Sequence, residues 1–284
     1  MKRHTQKPSL LWRITKGTAK GVGKLAIVYP AKGIWFLTKK SYEGIKKVRE
    51  KQKEEKQKTI LLKQKPQAKP AYDSLQEIKR LRGDYTSFEQ KLLNNKSTIG
   101  LILGARGTGK SAIGMRLLEN FASKTGKKLY ALGFRPESLP HWITVINDVS
   151  EIENNAALLI DEGGIEFSSR SGMSNANKLL SEILLIARHK DLSVMFITQN
   201  SANLEINAIR QADYLILKPS SLLQKDFERP KIKEIYEEVE KEFEKLKKTD
   251  GLTYVYADNY KGFVANSLPS FWSEGVSKGY AQRK

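Results

Sequence analysis

The 284-residue chain contains no cysteine. That excludes disulfide staples, thiolate chemistry and cysteine-built zinc sites, and with abundant Lys and Glu it suits a reducing interior. Its three histidines, His4, His141 and His189, lack metal-ligand spacing, which argues against a histidine-built centre as well. A membrane-spanning helix wants about 20 apolar residues with few charges. The apolar stretch Val22–Thr38 is shorter and carries Lys24, Pro30, Lys32 and several glycines. It reads as interfacial rather than spanning, and with no small-residue cleavage site after it, it is not a secretory signal.

Net charge is also scarce over most of the chain. Residues 71–284 hold 30 Lys/Arg against 27 Asp/Glu, whereas residues 1–70 hold 20 Lys/Arg and 4 Asp/Glu, so +16 of the total +19 lies in the N-terminal quarter. Such asymmetry points to a polyanion partner, nucleic acid or an anionic membrane face. Three readings stay open for residues 1–40: contact with a membrane or virion surface through Trp12, Tyr29, Trp35 and Phe36, contact with nucleic acid, or packing on the rest of the protein. The Lys/Glu/Gln-rich run after Ser41 reads as a solvated helix, and KQKPQAKPAY as an extended linker. The expected division is a basic extension with linker over 1–70, a core over 71–220 and an appendage over 221–284.

What is present is concentrated between Thr98 and Met115, TIGLILGARGTGKSAIGM. Ile99, Leu101, Ile102 and Leu103 predict a buried strand, and Ile113, Leu117 and Leu118 resume with helical spacing. Between them Gly104, Gly109, Lys110 and Ser111 match G-x-x-x-x-G-K-[ST], the P-loop pattern. Glycines there let main-chain N–H groups from Gly104, Ala105, Arg106, Gly107, Thr108, Gly109, Lys110, Ser111 and Ala112 turn inward around phosphate oxygens, and the helix N-terminus adds its positive end. Lys110 is expected on the β- and γ-phosphates of ATP, and Ser111 on Mg²⁺.

Farther along, AALLIDEGG predicts a strand that delivers Asp161 and Glu162 at its C-terminal end. Asp161 is the second candidate Mg²⁺ group, and Glu162 the candidate for polarising the attacking water. Glu166 is its reserve, and 165–177 is expected as a polar loop. A helix over Lys178–Arg188 and a strand over Leu192–Thr198 follow, the strand ending in Gln199, placed to sense the terminal phosphate. Further strands are expected at Leu129–Phe134, Trp142–Ile146 and Tyr214–Lys218, with short helices at Ser74–Leu81 and Leu204–Gln211. At the C-terminal end, Pro230–Asp250 carries one apolar stripe with Pro230 in its first turn. Leu252–Ala257 and Tyr260–Ala265 read as a hairpin around Asp258-Asn259, with Phe271 and Trp272 tucked back onto the body.

GARGTGKS, LLIDEGG and the run ARHKDLSVMFITQNSANLEINAIRQADYLILKP together resemble the FtsK–HerA superfamily of P-loop motors, over about residues 97–220. Among these the chain looks most like the compact ATPases of viruses and plasmids, including genome-packaging and Zot-like proteins. The resemblance implies a RecA-like α/β fold with a mainly parallel sheet of order 5-1-4-3-2 and helices on both faces. It also implies ATP hydrolysis, a hexameric ring and double-stranded DNA as the partner. Gln199 would be the sensor, and Arg188, or next Arg170, would act in trans on a neighbour's ATP. The expected location is cytoplasmic, with peripheral attachment to a membrane or virion. A Zot-like export ATPase that does not act on duplex DNA is the alternative.

Overall fold

The computed structural model describes residues 68–163, 172–204 and 206–277. The chain divides into two compact units, 1–63 and 64–284, and all described residues lie in the second. The basic extension, Glu166, Arg170 and residues 165–171 of the expected polar loop fall outside the described residues; its remaining part, 172–177, is helical instead.

One nine-stranded sheet organises this unit. Its strands in chain order are β1 (Gln76–Gly83), β2 (Thr98–Leu103), β3 (Lys128–Leu132), β4 (Thr144–Ile146), β5 (Ala156–Asp161), β6 (Leu192–Ile197), β7 (Tyr214–Leu217), β8 (Leu252–Ala257) and β9 (Tyr260–Ala265). Across the sheet they run β1-β9-β8-β7-β2-β6-β5-β3-β4. From β4 to β7 all pairs are parallel; β7–β8, β8–β9 and β9–β1 are antiparallel. Numbered in chain order, the five strands β7-β2-β6-β5-β3 give 5-1-4-3-2, with β6 between the glycine-loop strand and the acid-bearing strand.

The helices are α1 (Tyr85–Asn94), α2 (Lys110–Lys124), α3 (Gly172–Ala187), α4 (Ile206–Gln211), α5 (Leu222–Asp226), α6 (Pro230–Leu246) and α7 (Glu274–Ser277). Strand alternation sends Leu101, Leu103, Leu158 and Ile160 to one face, where α3 and α6 cover them. Ile102, Ala157 and Leu159 face the other side, under α1 and α2. Burial on both faces explains why β2, β5 and β6 read as continuous apolar runs. No helix among the described residues is long and apolar enough to cross a membrane.

Two further expectations are corrected. Ser74–Leu81 is not a helix: Gln76–Gly83 is an edge strand, antiparallel to β9 with two register shifts. Its sequence, QEIKRLRG, has no decisive periodicity, and a partner some 180 residues away decides it. The C-terminal helix and hairpin are not a separate appendage either. Pairing of β8 with β7 makes the hairpin part of the central sheet, and Ile232, Ile235, Tyr236, Val239 and Phe243 of α6 are buried against it.

Candidate active site

All parallel strands end at the same edge, so the segments that follow them converge there. Behind β2 the chain enters the glycine loop. Gly104 has φ +148°, and a Cβ on it would stand 2.5 Å from the Lys218 Cβ, so only glycine passes between the two strands. Gly109, at φ +90°, is the N-cap of α2 and offers no side chain to the helix's first amides. Those N–H groups are left to face a ligand.

The side chains of the loop are already drawn inward. Lys110 is buried, its Nζ donating to the carbonyls of Gly104 (2.7 Å) and Ala105 (2.9 Å). Burial pushes the Lys110 ammonium down from its usual range, and the Asp161 carboxylate works against that. Ser111 Oγ donates to Asp161 Oδ2 at 3.0 Å, and Gly163 N donates to Asp161 Oδ1 at 3.1 Å. Glu162, next to Asp161, is buried at 5% exposure in a helical turn that opens directly after β5. The glycine loop, its lysine and hydroxyl, and the acid pair of β5 thus share one edge.

The arrangement is a P-loop.

The Ser111 and Asp161 oxygens also suit a hard cation. Two neighbouring ligands of an octahedral Mg²⁺ stand about 2.9 Å apart at the usual bond length, close to the 3.0 Å between these atoms. No group of three or more acidic or histidine side chains arranged to hold a metal ion exists among the described residues. The pair therefore suits an ion that takes its remaining ligands from phosphate and water.

Gln199 lies just beyond β6, the strand between β2 and β5, hence between the P-loop and Asp161. Its side chain is exposed; its carbonyl accepts from Gln224 Nε2 in α5. Arg188 is not brought to this site. It follows α3 and precedes β6, at the opposite edge of the sheet, and its side chain is exposed. Arg106 and Gly107 are exposed at the tip of the P-loop.

Three buried polar groups escaped sequence reasoning. Lys218, one residue past β7, is buried beside the P-loop. Glu228 is buried and accepts from Ser201 N (2.7 Å), Ser201 Oγ and Gln224 Nε2 (3.1 Å), which ties the segment after Gln199 to α5 and α6. On α2, the buried pair Arg116–Glu119 (2.8 Å) and Asn120 bind the main chain of Ala71, Asp73, Leu268 and Ser270. Only Lys218 left a trace in the sequence, a charge closing the apolar run YLIL.

No family model matches the chain, and no curated protein matches it. Among solved structures, the genome-packaging NTPase B204 from Sulfolobus turreted icosahedral virus 2, in complex with AMPPCP, aligns with 61% of this chain and 100% of its own. The identity is 15% and the TM-score 0.41. EssC (ATPases 2 and 3) from Geobacillus thermodenitrificans aligns over 76% of this chain and 49% of its own, at 11% identity and TM-score 0.39. The KaiC-like protein PH0186 from Pyrococcus horikoshii OT3 covers 51% of this chain and 82% of its own, at 13% identity and TM-score 0.33. Likeness this low carries no argument about function; the P-loop's own residues do.

Proposed function

We propose that this chain binds ATP with Mg²⁺, hydrolyses it, and uses the cycle to move double-stranded DNA as a ring-forming motor. The observation that carries the ATP part is the Ser111–Asp161 contact with Lys110 and Glu162 on either side of it. The main-chain amides of the P-loop and of the first turn of α2 bind the phosphates, and Lys110 exchanges two neutral carbonyls for phosphate oxygens. Mg²⁺ held at Ser111 and Asp161 would neutralise charge on the β- and γ-oxygens. Glu162 orients and polarises the attacking water and accepts its proton as oxygen bonds to the γ-phosphorus, while the bond from that phosphorus to the β,γ-bridging oxygen breaks and ADP leaves with the electron pair. Gln199 reads the terminal phosphate and passes its presence to α5 through its carbonyl. Arg188 enters only in trans, from a neighbouring subunit.

The DNA part rests on the sequence resemblance and on the +16 N-terminal segment. Its test is ATP turnover by the purified full chain with and without long duplex DNA. Stimulation of about severalfold is expected, at a salt concentration low enough for phosphate contacts to count. Turnover unchanged by duplex DNA would remove the motor and leave an ATPase that acts on something else, as in the Zot-like alternative. Absence of ATP binding would remove both.

A further inference from the structure

Lys218 stands where β7 ends beside the start of the P-loop. Its N–H donates to Leu103 O at 2.8 Å, and Ala105 N donates to the Pro219 carbonyl at 3.0 Å, so residues 218–219 run along the base of the loop. The side chain passes under Gly104 and ends near Gly109: a Cβ on Gly109 would lie 3.9 Å from the Lys218 Nζ. Nζ donates to Gly251 O (2.9 Å), Leu252 O (3.2 Å) and Asn266 Oδ1 (2.8 Å). Asn266 Nδ2 donates to Ser267 O at 3.1 Å, which fixes Oδ1 as the atom facing the lysine. Three acceptors require three N–H donors, and only the ammonium has three.

All three partners are neutral. Among the described residues no carboxylate forms an ion pair with Lys218. On the P-loop side Lys110, whose Nζ donates to the Gly104 carbonyl, is a like charge, and from α6 the Tyr236 hydroxyl donates to the Lys218 carbonyl at 3.1 Å. Only the ammonium form therefore meets all three acceptors, and among the described residues no carboxylate pairs with it, beside the loop that cradles phosphates.

We propose that Lys218 is a positioning residue of the phosphate site, whose ammonium form braces the P-loop against β8 and β9 and is completed by proton uptake when a polyphosphate binds. This rests on the reading of the P-loop as a nucleotide site. Burial alone pushes the Lys218 ammonium down to about 7, so near neutrality a large share of the free protein carries the neutral amine. That form has two donors for three acceptors and holds the hairpin less well. A bound polyphosphate favours the charged form, and by linkage the charged form favours the polyphosphate. Affinity should therefore fall as pH rises above neutrality, by up to about tenfold per pH unit while the bound form stays protonated.

The test is calorimetric titration of the full chain with a non-hydrolysable ATP analogue and Mg²⁺, in two buffers of different ionisation heat on the alkaline side of neutral. Wild type is expected to take up protons on binding and to lose affinity with rising pH. Two variants fix the charge. Lys218→Arg carries a cation at all pH values, and Asn266→Asp supplies a carboxylate that holds the ammonium; thermal melting checks that each is folded. Both are expected to bind with little proton uptake and a flatter pH profile. Binding by wild type without proton uptake overturns the proposal, and so does uptake that persists in a folded variant, which would assign it to Lys110. If the analogue fails to bind wild type at any pH, the nucleotide reading itself falls, an outcome distinct from the other two.

Discussion

From β4 to β7 every strand of the sheet runs the same way; from β7 to β1 every neighbour is reversed. Parallel strands need crossovers, and crossovers bring the chain back to begin again, so all their C-terminal ends gather at one edge. The P-loop, Glu162, Gln199 and Lys218 each follow one of those ends, and Asp161 closes β5. Antiparallel strands return by tight turns and scatter their ends over both edges. That half holds aromatics instead: Phe263 lies 5.0 Å from Tyr254 and 5.1 Å from Phe243, centroid to centroid. It meets the chemistry indirectly, through the three acceptors around Lys218. The comparison teaches that reactive groups collect where topology converges, while the hairpin contributes packing and a brace.

Substitutions should split along the same line. The largest effect is expected for Glu162→Gln in the parallel half. Loss of the base should lower ATP turnover about 10³-fold, with nucleotide affinity and melting temperature near wild type. Normal turnover would remove Glu162 from its role. Next comes Phe263→Ala in the antiparallel half, a fully buried ring whose loss should cost about 3–4 kcal/mol of stability in urea unfolding. Turnover per folded molecule should stay the same. A matching collapse of turnover at temperatures where the variant is folded would break the division between the halves.

Glu228 tests the seam between them. It sits after α5, at the point where the chain leaves the parallel half for α6 and the hairpin. Glu228→Ala leaves Ser201 N and Ser201 Oγ without their acceptor and removes one of the two bonds donated by Gln224 Nε2, which keeps the Gln199 carbonyl. An expected loss of about 1–3 kcal/mol follows from the unmet donors. If Gln199 passes its state to α5, kcat should fall as well while nucleotide affinity holds, measured by steady-state turnover beside direct binding. Unchanged kcat would leave Glu228 as packing alone.

The parallel half was legible in the sequence because its signals are local and repeated. Continuous apolar runs marked β2, β5 and β6, and the residue types at Gly104–Ser111 and Asp161–Glu162 are ones that few other purposes put together. The order of the parallel strands came from the resemblance and not from any local pattern, and the close approach of Lys218 to Gly104 was not legible, because it depends on residues more than a hundred positions apart. The buried Arg116–Glu119 pair shows the same gap. On α2 alone it reads as a surface pair at i,i+3, and only the chain at Ala71–Asp73 and Leu268–Ser270, folded over it, buries it. The mistaken helix over Ser74–Leu81 has the same origin: a charged edge strand carries little pattern of its own, and β9 supplies what is missing.

The smallest effect concerns the helix that sequence reading passed over, α1. Its start is marked by a local device, since Asp84 accepts from Ser87 N at 2.7 Å in N-cap geometry. The same residue joins the helix to the hairpin, its N–H donating to Asn259 O at 3.2 Å. Gly83 makes that junction possible: at φ +79°, a Cβ there would lie 2.0 Å from the Asn259 oxygen. Asp84→Ala removes only the side-chain cap and leaves the main-chain bond. It should cost about 1 kcal/mol, read as a modest drop in melting temperature, with turnover unaffected because α1 contributes no group to the P-loop edge. Asp84→Asn should restore most of the loss, since an amide oxygen can accept the same hydrogen bond. If the asparagine variant melts no higher than the alanine one, the aspartate acts through its charge beside Arg80 rather than as a cap, and the antiparallel edge depends on electrostatics more than on turn geometry.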